Sequence, residues 1–163
     1  AGLASAVGVC NFSLEELRCV RDRLEAAHSI PLSTCQVELS LARQLPIATG
    51  MVAACRSMGI VVLAYSPLAM GRLSGKYDPR ERGGNTRPKW GPRGDQTRPF
   101  GAALDEDAAA LGTLLDALSR MGQKYGGRTV AQVALNWVVA QGAVALAGAK
   151  TRKQAEENAG AMG

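Results

Sequence analysis

Four short segments of strand character, three of them apolar runs, alternate along the chain with longer segments in which apolar residues recur every three or four positions. Ala6-Val7-Gly8-Val9-Cys10 is the first run, and Asn11-Phe12 closes it. Ser13 with Glu16 three residues on forms a capping box. Leu14, Leu17, Val20 and Leu24 then share one face, which predicts a helix to about residue 27. Ile30-Pro31-Leu32 connects to a second short strand at 34–38, Thr34-Cys35-Gln36-Val37-Glu38. A helix is expected between Pro46 and Met58 with Met51, Val52 and Cys55 inward, and Gly59 is placed to cap its C-terminus. The run from Ile60 to Tyr65 shows no alternation, so it reads as a strand buried on both faces. Beyond it, Leu111, Leu114, Leu115, Leu118 and Met121 mark an amphipathic helix over 104–124, ended by Gly126-Gly127. Thr129 caps the next helix, 130–141, with Val133, Ala134, Trp137 and Val138 inward. Residues 143–147 are the fourth strand, and a polar helix opens at Arg152 and runs to Asn158.

Strands alternating with helices imply parallel pairing through right-handed crossovers. Two architectures fit: a small open doubly wound sheet, or about half of an eight-stranded barrel. No G-x-G-x-x-G or G-x-x-x-x-G-K-[ST] phosphate loop occurs, which weakens the open-sheet versions. Each strand ends instead on polar side chains: Asn11, Gln36, Tyr65-Ser66 and Lys150-Thr151. Polar groups at successive strand ends form the rim of a barrel. Val7, Val9, Val37, Val61, Leu63, Val144 and Leu146 are expected in or beside the core. Tyr65-Ser66 also has a plainer reading, as a strand exit with a half-buried ring.

Composition narrows the function classes. At 163 residues and 47% apolar content one domain over 1–163 is expected, with an aliphatic core because aromatics are only 4%. No apolar run is long enough to span a membrane, and the first ten residues show no secretory pattern. Cys10, Cys19, Cys35 and Cys55 lack C-x-x-C spacing and His28 is the single histidine, so free thiols and no metal centre are expected. The net charge of +5 is concentrated: residues 76–98 hold seven basic and three acidic side chains. Only Trp90 interleaves with these basic residues, which argues against nucleic acid and leaves a solvated loop or an anionic small ligand. Seven Gly and four Pro fall within 71–101, so this segment reads as a long loop, with 78–100 its most mobile part.

Six words in order are similar to the aldo-keto reductase family. They are Val7-Gly8-Val9-Cys10-Asn11-Phe12, Cys35-Gln36-Val37-Glu38, Ala64-Tyr65-Ser66-Pro67-Leu68, Gly75-Lys76-Tyr77, Ala131-Gln132-Val133-Ala134-Leu135-Asn136-Trp137, and Gly148-Ala149-Lys150 with Gln154-Ala155-Glu156-Glu157-Asn158. Ala140-Gln141-Gly142 and the closing residues 155–163 look most like plant and algal members, some of them plastid proteins.

The resemblance implies an α/β fold, the C-terminal half of a (β/α)8 TIM barrel (strands five to eight), which binds NADP(H) and reduces carbonyls to alcohols. It implies that Asn11 and Gln36 hydrogen-bond the nicotinamide carboxamide and that Tyr65 stacks under the ring. Cys10 stands where the family usually has Ser, a stronger donor. Ser66, Leu68, Arg72, Ser74 and Lys76 would contact the pyrophosphate. Lys150, Thr151 and Arg152 would take the 2′-phosphate as charge-assisted donors. Gln154 stands where many members place an Arg, and Glu157 and Asn158 would meet the adenine. Gln36 could instead satisfy strand-end backbone, and Glu157 and Asn158 could form a solvated helix face.

The family's proton-donating Tyr and its Lys, Asp and His partners come from its first four strands, and the resemblance begins at the fifth. No catalytic residue is therefore assigned: Tyr65 is not the acid by position, Tyr77 and Tyr125 lie off the rim, and His28 follows a helix. The chain begins at Ala1 without an initiator Met and ends where a helix opens, so both ends read as cut. The expected partners are a carbonyl substrate and an N-terminal half-barrel, in the cytoplasm or a plastid. The alternatives are a non-catalytic nucleotide-binding half-barrel and a truncated fragment with no activity of its own.

Overall fold

The computed structural model describes residues 4, 6–76, 80 and 108–162. In chain order it contains β1 (Val7–Cys10), α1 (Leu14–His28), β2 (Leu32–Glu38), α2 (Leu45–Ala48), α3 (Met51–Ser57) and β3 (Val61–Tyr65). A 3-10 turn (Ala69–Ser74), α4 (Ala108–Lys124), α5 (Val130–Ala140), β4 (Ala143–Leu146), α6 (Arg152–Ala159) and a short 3-10 turn (Gly160–Met162) follow. By contacts the chain divides into two compact units, Ala1–Pro67 with Val138–Leu146 and Leu68–Trp137 with Ala147–Gly163. Residues 78–100, read from sequence as a mobile loop, lie outside the described residues except for Arg80.

The first unit is built on one parallel sheet in the order β1-β2-β3-β4. Strand order follows chain order without reversal, so the sheet has no switch point of the doubly wound kind. This is the pairing of part of a (β/α) barrel. Local chemistry sets the helix ends. Ser13 and Glu16 form the expected capping box, Ser13 N to Glu16 Oε2 at 2.7 Å and Glu16 N to Ser13 Oγ at 3.2 Å. After α3, Gly59 N donates to Arg56 O at 3.2 Å and Ile60 N to Cys55 O at 2.9 Å, with Gly59 at φ 70°. These two bonds make a Schellman cap.

One expectation is refined and one corrected. The helix expected between Pro46 and Met58 is α3, and the short helix α2, which was not expected, precedes it, with Gly50 at φ 74° turning the chain between them. Met51, Val52 and Cys55 are buried as expected. The sheet is buried on one face only. Cys35, Val37, Val62, Ala64 and Ala143 are buried, and α1 and α3 contact β2 and β3. The other face carries three rows in register: Gly8, Thr34 and Val61; Cys10, Gln36, Leu63 and Val144; Glu38, Tyr65 and Leu146. Val61 is 45%, Val144 48% and Leu146 40% exposed, so they leave the expected core, and Leu63 is half-buried. Side-chain direction alternates along a strand, and an unbroken apolar run does not say which of its faces is covered.

In the second unit Leu111, Leu115 and Leu118 of α4 are buried, as are Ala131, Ala134 and Leu135 of α5. Gly122 lets the two helices join tightly: Arg128 N donates to Gly122 O at 2.9 Å. A Cβ on Gly122 would collide with the Arg128 carbonyl oxygen, with the carbonyl carbon at 3.0 Å. Gly122→Ala is therefore expected to destabilise by about 1–3 kcal/mol, although Ala alone favours a helix by about 1 kcal/mol over Gly. Denaturant unfolding checks this, and a more stable variant would refute the close approach.

Candidate functional site

The first unit gathers its candidate residues at the carboxyl ends of β1, β2 and β3. Asn11 follows β1 in the left-handed region at φ 59°, and its N–H donates to Gln36 O at 2.8 Å. Its side chain lies beside the Tyr65 phenol. Burial pushes that phenol above its ordinary pKa, and the Asn11 contact opposes the shift. Tyr65 O accepts from Leu39 N at 3.3 Å, and Ser66 leaves the strand at φ 52°. Gln36 shares a register row with Cys10, whose thiol is exposed. Cys10, Asn11, Gln36, Tyr65 and Ser66 thus occur at one end of one sheet.

Glu38 lies beside Tyr65 in register, and the sequence reading gave it no role. Its Oε2 is buried and has no hydrogen-bond partner, while Arg43 Nε stands at 3.7 Å. A Ser40–Arg43 turn, closed by backbone bonds of 3.1 and 3.0 Å, folds the guanidinium back to this position. Desolvation raises the Glu38 pKa, and Arg43 only partly opposes it. The signal in the sequence is a carboxylate closing an otherwise uncharged strand. With the folded pKa above the unfolded one, the native state binds the proton more tightly. Stability is then greatest below the ordinary value near 4.5 and falls as pH rises through the raised value. Glu38→Gln is expected to be more stable than the parent at about pH 7 and to lose that advantage at about pH 4. Urea midpoints at the two pH values check the sign, and an advantage confined to acid would reverse it.

The second unit holds the remaining candidates in two segments. Leu68 O accepts from Gly71 N at 2.9 Å and Leu73 N at 3.1 Å. Ser74 Oγ donates to Gly71 O at 2.6 Å and accepts from Lys76 N at 3.3 Å. Ala69 at φ 48° and Met70 at φ 54° are left-handed without being glycine. Such residues store of order 1–3 kcal/mol each and concentrate at ligand sites. Arg72 is half-buried and Lys76 exposed.

The other segment surrounds the N-terminus of α6. Thr151 is the N-cap, its hydroxyl accepting from Gln154 N at 3.2 Å, and Gln154 Oε1 accepts from Lys150 N at 2.7 Å. Asn158 Nδ2 donates to Gly148 O at 3.3 Å, tying the helix to the preceding loop. Arg152 pairs with Glu156 at 2.6 Å on the surface, and Glu157 O accepts from Gln132 Nε2 at 3.0 Å. Lys150, Thr151 and Arg152 are exposed. Two cations at a helix N-terminus suit an anion. The amides of Asn11 and Gln36 can each donate and accept, which suits a carboxamide.

Tyr125, read as lying off the rim, is 63% exposed beyond the end of α4, and His28, expected just after a helix, is instead the last residue of α1. Tyr77 lies outside the described residues. All four cysteines are free thiols. Among the described residues no group of three or more His, Cys, Asp or Glu is placed to hold a metal ion. No described helix is long and apolar enough to cross a membrane. A cavity of about 330 Å³ beside α1, lined by Val20, Arg23, Leu24, Ala27 and His28, includes none of the strand-end residues.

Residues 1–163 match the Aldo/keto reductase family. Pyridoxal reductase, chloroplastic, of Arabidopsis thaliana is 34% identical over 162 residues, which are 99% of this chain and 40% of that protein. L-glyceraldehyde 3-phosphate reductase of Escherichia coli is 28% identical over 99% of this chain and 45% of its own length. Among solved structures, the glycerol dehydrogenase of Gluconobacter oxydans superposes with a TM-score of 0.75 at 26% identity, over 97% of this chain and 44% of that one. The chain thus spans less than half the length of each of these proteins. With its parallel sheet in sequential order, the chain belongs to the aldo/keto reductase family.

Proposed function

We propose that this chain is the NADP(H)-holding C-terminal half of an aldo-keto reductase barrel, strands five to eight, serving the reduction of an aldehyde or ketone to an alcohol. The observation that carries the reading is the cluster at the end of the sheet: Asn11, whose backbone N–H bonds Gln36 O, beside Tyr65, with Gln36 in register with Cys10. In this reading Asn11 and Gln36 hold the nicotinamide carboxamide, and Tyr65 gives the ring a flat apolar support. NADPH supplies the hydride. Ser66, Leu68, Arg72, Ser74 and Lys76 take the pyrophosphate. Lys150, Thr151 and Arg152 take the 2′-phosphate, and Gln154, Glu157 and Asn158 take the adenosine.

The alkoxide formed when hydride reaches a carbonyl needs a proton donor. That donor is proposed to come from four further βα units carrying a Tyr and a Lys at strand ends. Two relatives are named for reducing pyridoxal and L-glyceraldehyde 3-phosphate, so pyridoxal is the first substrate to try, and plastid location is proposed on the chloroplastic relative. Calorimetric titration tests the cofactor half: NADPH is expected to bind and NADH to bind more weakly. No binding of either nucleotide would remove the reading. Absorbance at the NADPH band, followed with pyridoxal, is expected to stay constant with this chain alone and to fall when a half-barrel bearing the Tyr and Lys is supplied.

A further inference from the structure

Helix α6 has eight residues, none of them buried. A helix this short has little stability of its own, and no apolar face docks it. Three side chains spaced four apart, at the start of α5 and along it, hold its last turn and the 3-10 turn that follows it instead. Arg128 Nη1 donates to Gly160 O at 2.9 Å, Gln132 Nε2 to Glu157 O at 3.0 Å, and Asn136 Nδ2 to Ala161 O at 2.9 Å. Carbonyls at the end of a helix lack intrahelical donors, and a cation there also opposes the helix dipole. A Cβ on Gly160 would meet Gln132 Nε2, so a larger residue there would displace that amide.

We infer that Arg128, Gln132 and Asn136 are positioning residues: they set NADP(H) affinity and 2′-phosphate selectivity by fixing α6, without touching the cofactor. This rests on the reading that α6 and the loop before it hold the adenosine 2′-phosphate. Lys150, Thr151 and Gln154 are bonded to one another at the N-terminus of α6, and Asn158 ties its last turn to Gly148. An α6 released at its C-terminal end would therefore carry the whole segment with it.

Gln132 offers a selective test because both ends of its amide are used. Oε1 accepts from Thr129 N at 3.0 Å, and Gln132 N donates to Thr129 Oγ1 at 3.2 Å, which together make a capping box for α5. Glu serves equally well in that box. Gln132→Glu therefore keeps the α5 cap while placing a carboxylate oxygen against the Glu157 carbonyl. The expected result is faster amide exchange in α6 with exchange in α5 unchanged. NADPH affinity should fall roughly threefold to tenfold, the range of one neutral hydrogen bond, and NADH affinity should fall less. Asn136→Ala, which leaves the capping box untouched, should act in the same direction. Unchanged α6 exchange, or unchanged NADPH affinity in both variants, overturns the inference while the proposed function stands. Failure of the unaltered chain to bind NADPH overturns both.

Discussion

Lys150→Met is expected to weaken NADPH binding tenfold to a hundredfold and to leave NADH binding nearly unchanged. Lys150 is exposed, and its backbone N–H donates to Gln154 Oε1 at 2.7 Å. Removing the charge leaves that backbone bond in place, and Met preserves most of the aliphatic stem. A hydrogen bond to a charged group contributes about 1.5–3 kcal/mol, and each 1.4 kcal/mol is about a factor of ten in affinity. NADH lacks the 2′-phosphate and gives the internal control. Salt supplies a second one: NADPH affinity of the parent should fall as ionic strength rises, and that of the variant should fall less. In an active full barrel the loss should raise KM for NADPH more than it lowers kcat, since the contact is remote from the reacting atoms and present before the transition state. Equal NADPH affinities for parent and variant would place the phosphate on other side chains.

Features written in neighbouring residues were legible in the sequence. Ser13 and Glu16 predict their own hydrogen bonds because a capping box needs only those two types three apart, and Gly59 predicts the Schellman turn before β3 for the same reason. Gly50, in the left-handed region between α2 and α3, carries a similar signal that the sequence reading did not use. The β3 run announced a strand and concealed its faces: Val62 and Ala64 are buried while Val61 is nearly half exposed. At the candidate site, strand-end position alone marked Asn11, Gln36 and Tyr65, and their individual roles came from the family resemblance. The bonds from Gln132 to Glu157 O and from Asn136 to Ala161 O each join residues 25 apart in the chain. No local pattern encodes such pairs, and Gln132 and Asn136 entered only within the word Ala131–Trp137 that is similar to the family. The buried oxygen of Glu38 was hidden likewise, because its environment is set by Arg43 and β3 rather than by its neighbours in β2.

Leu17→Ala is expected to cost about 2–5 kcal/mol, the range for truncating a fully buried leucine. Leu17 has zero exposure and is the only buried residue among the fifteen of α1. The capping box fixes where α1 starts and fixes little of where it lies. α1 lies against β2, and Leu17 is the side chain it withdraws fully from water. The other apolar positions of the helix, Leu14, Val20 and Leu24, are half-buried, so they have less to lose and less ability to close over the void. Ala is a slightly better helix former than Leu, which returns only a few tenths of a kcal/mol. Against a total stability of about 5–15 kcal/mol for a typical domain, the loss would leave a substantial unfolded fraction on mild heating. Each kcal/mol corresponds to about 2–4 °C in Tm for a chain of this size. Thermal unfolding followed by circular dichroism measures it, with Leu24→Ala as a half-buried comparison expected to lose clearly less. If the two variants melted together, the docking of α1 would be distributed along its whole apolar edge, and Leu17 would lose its place as the anchor.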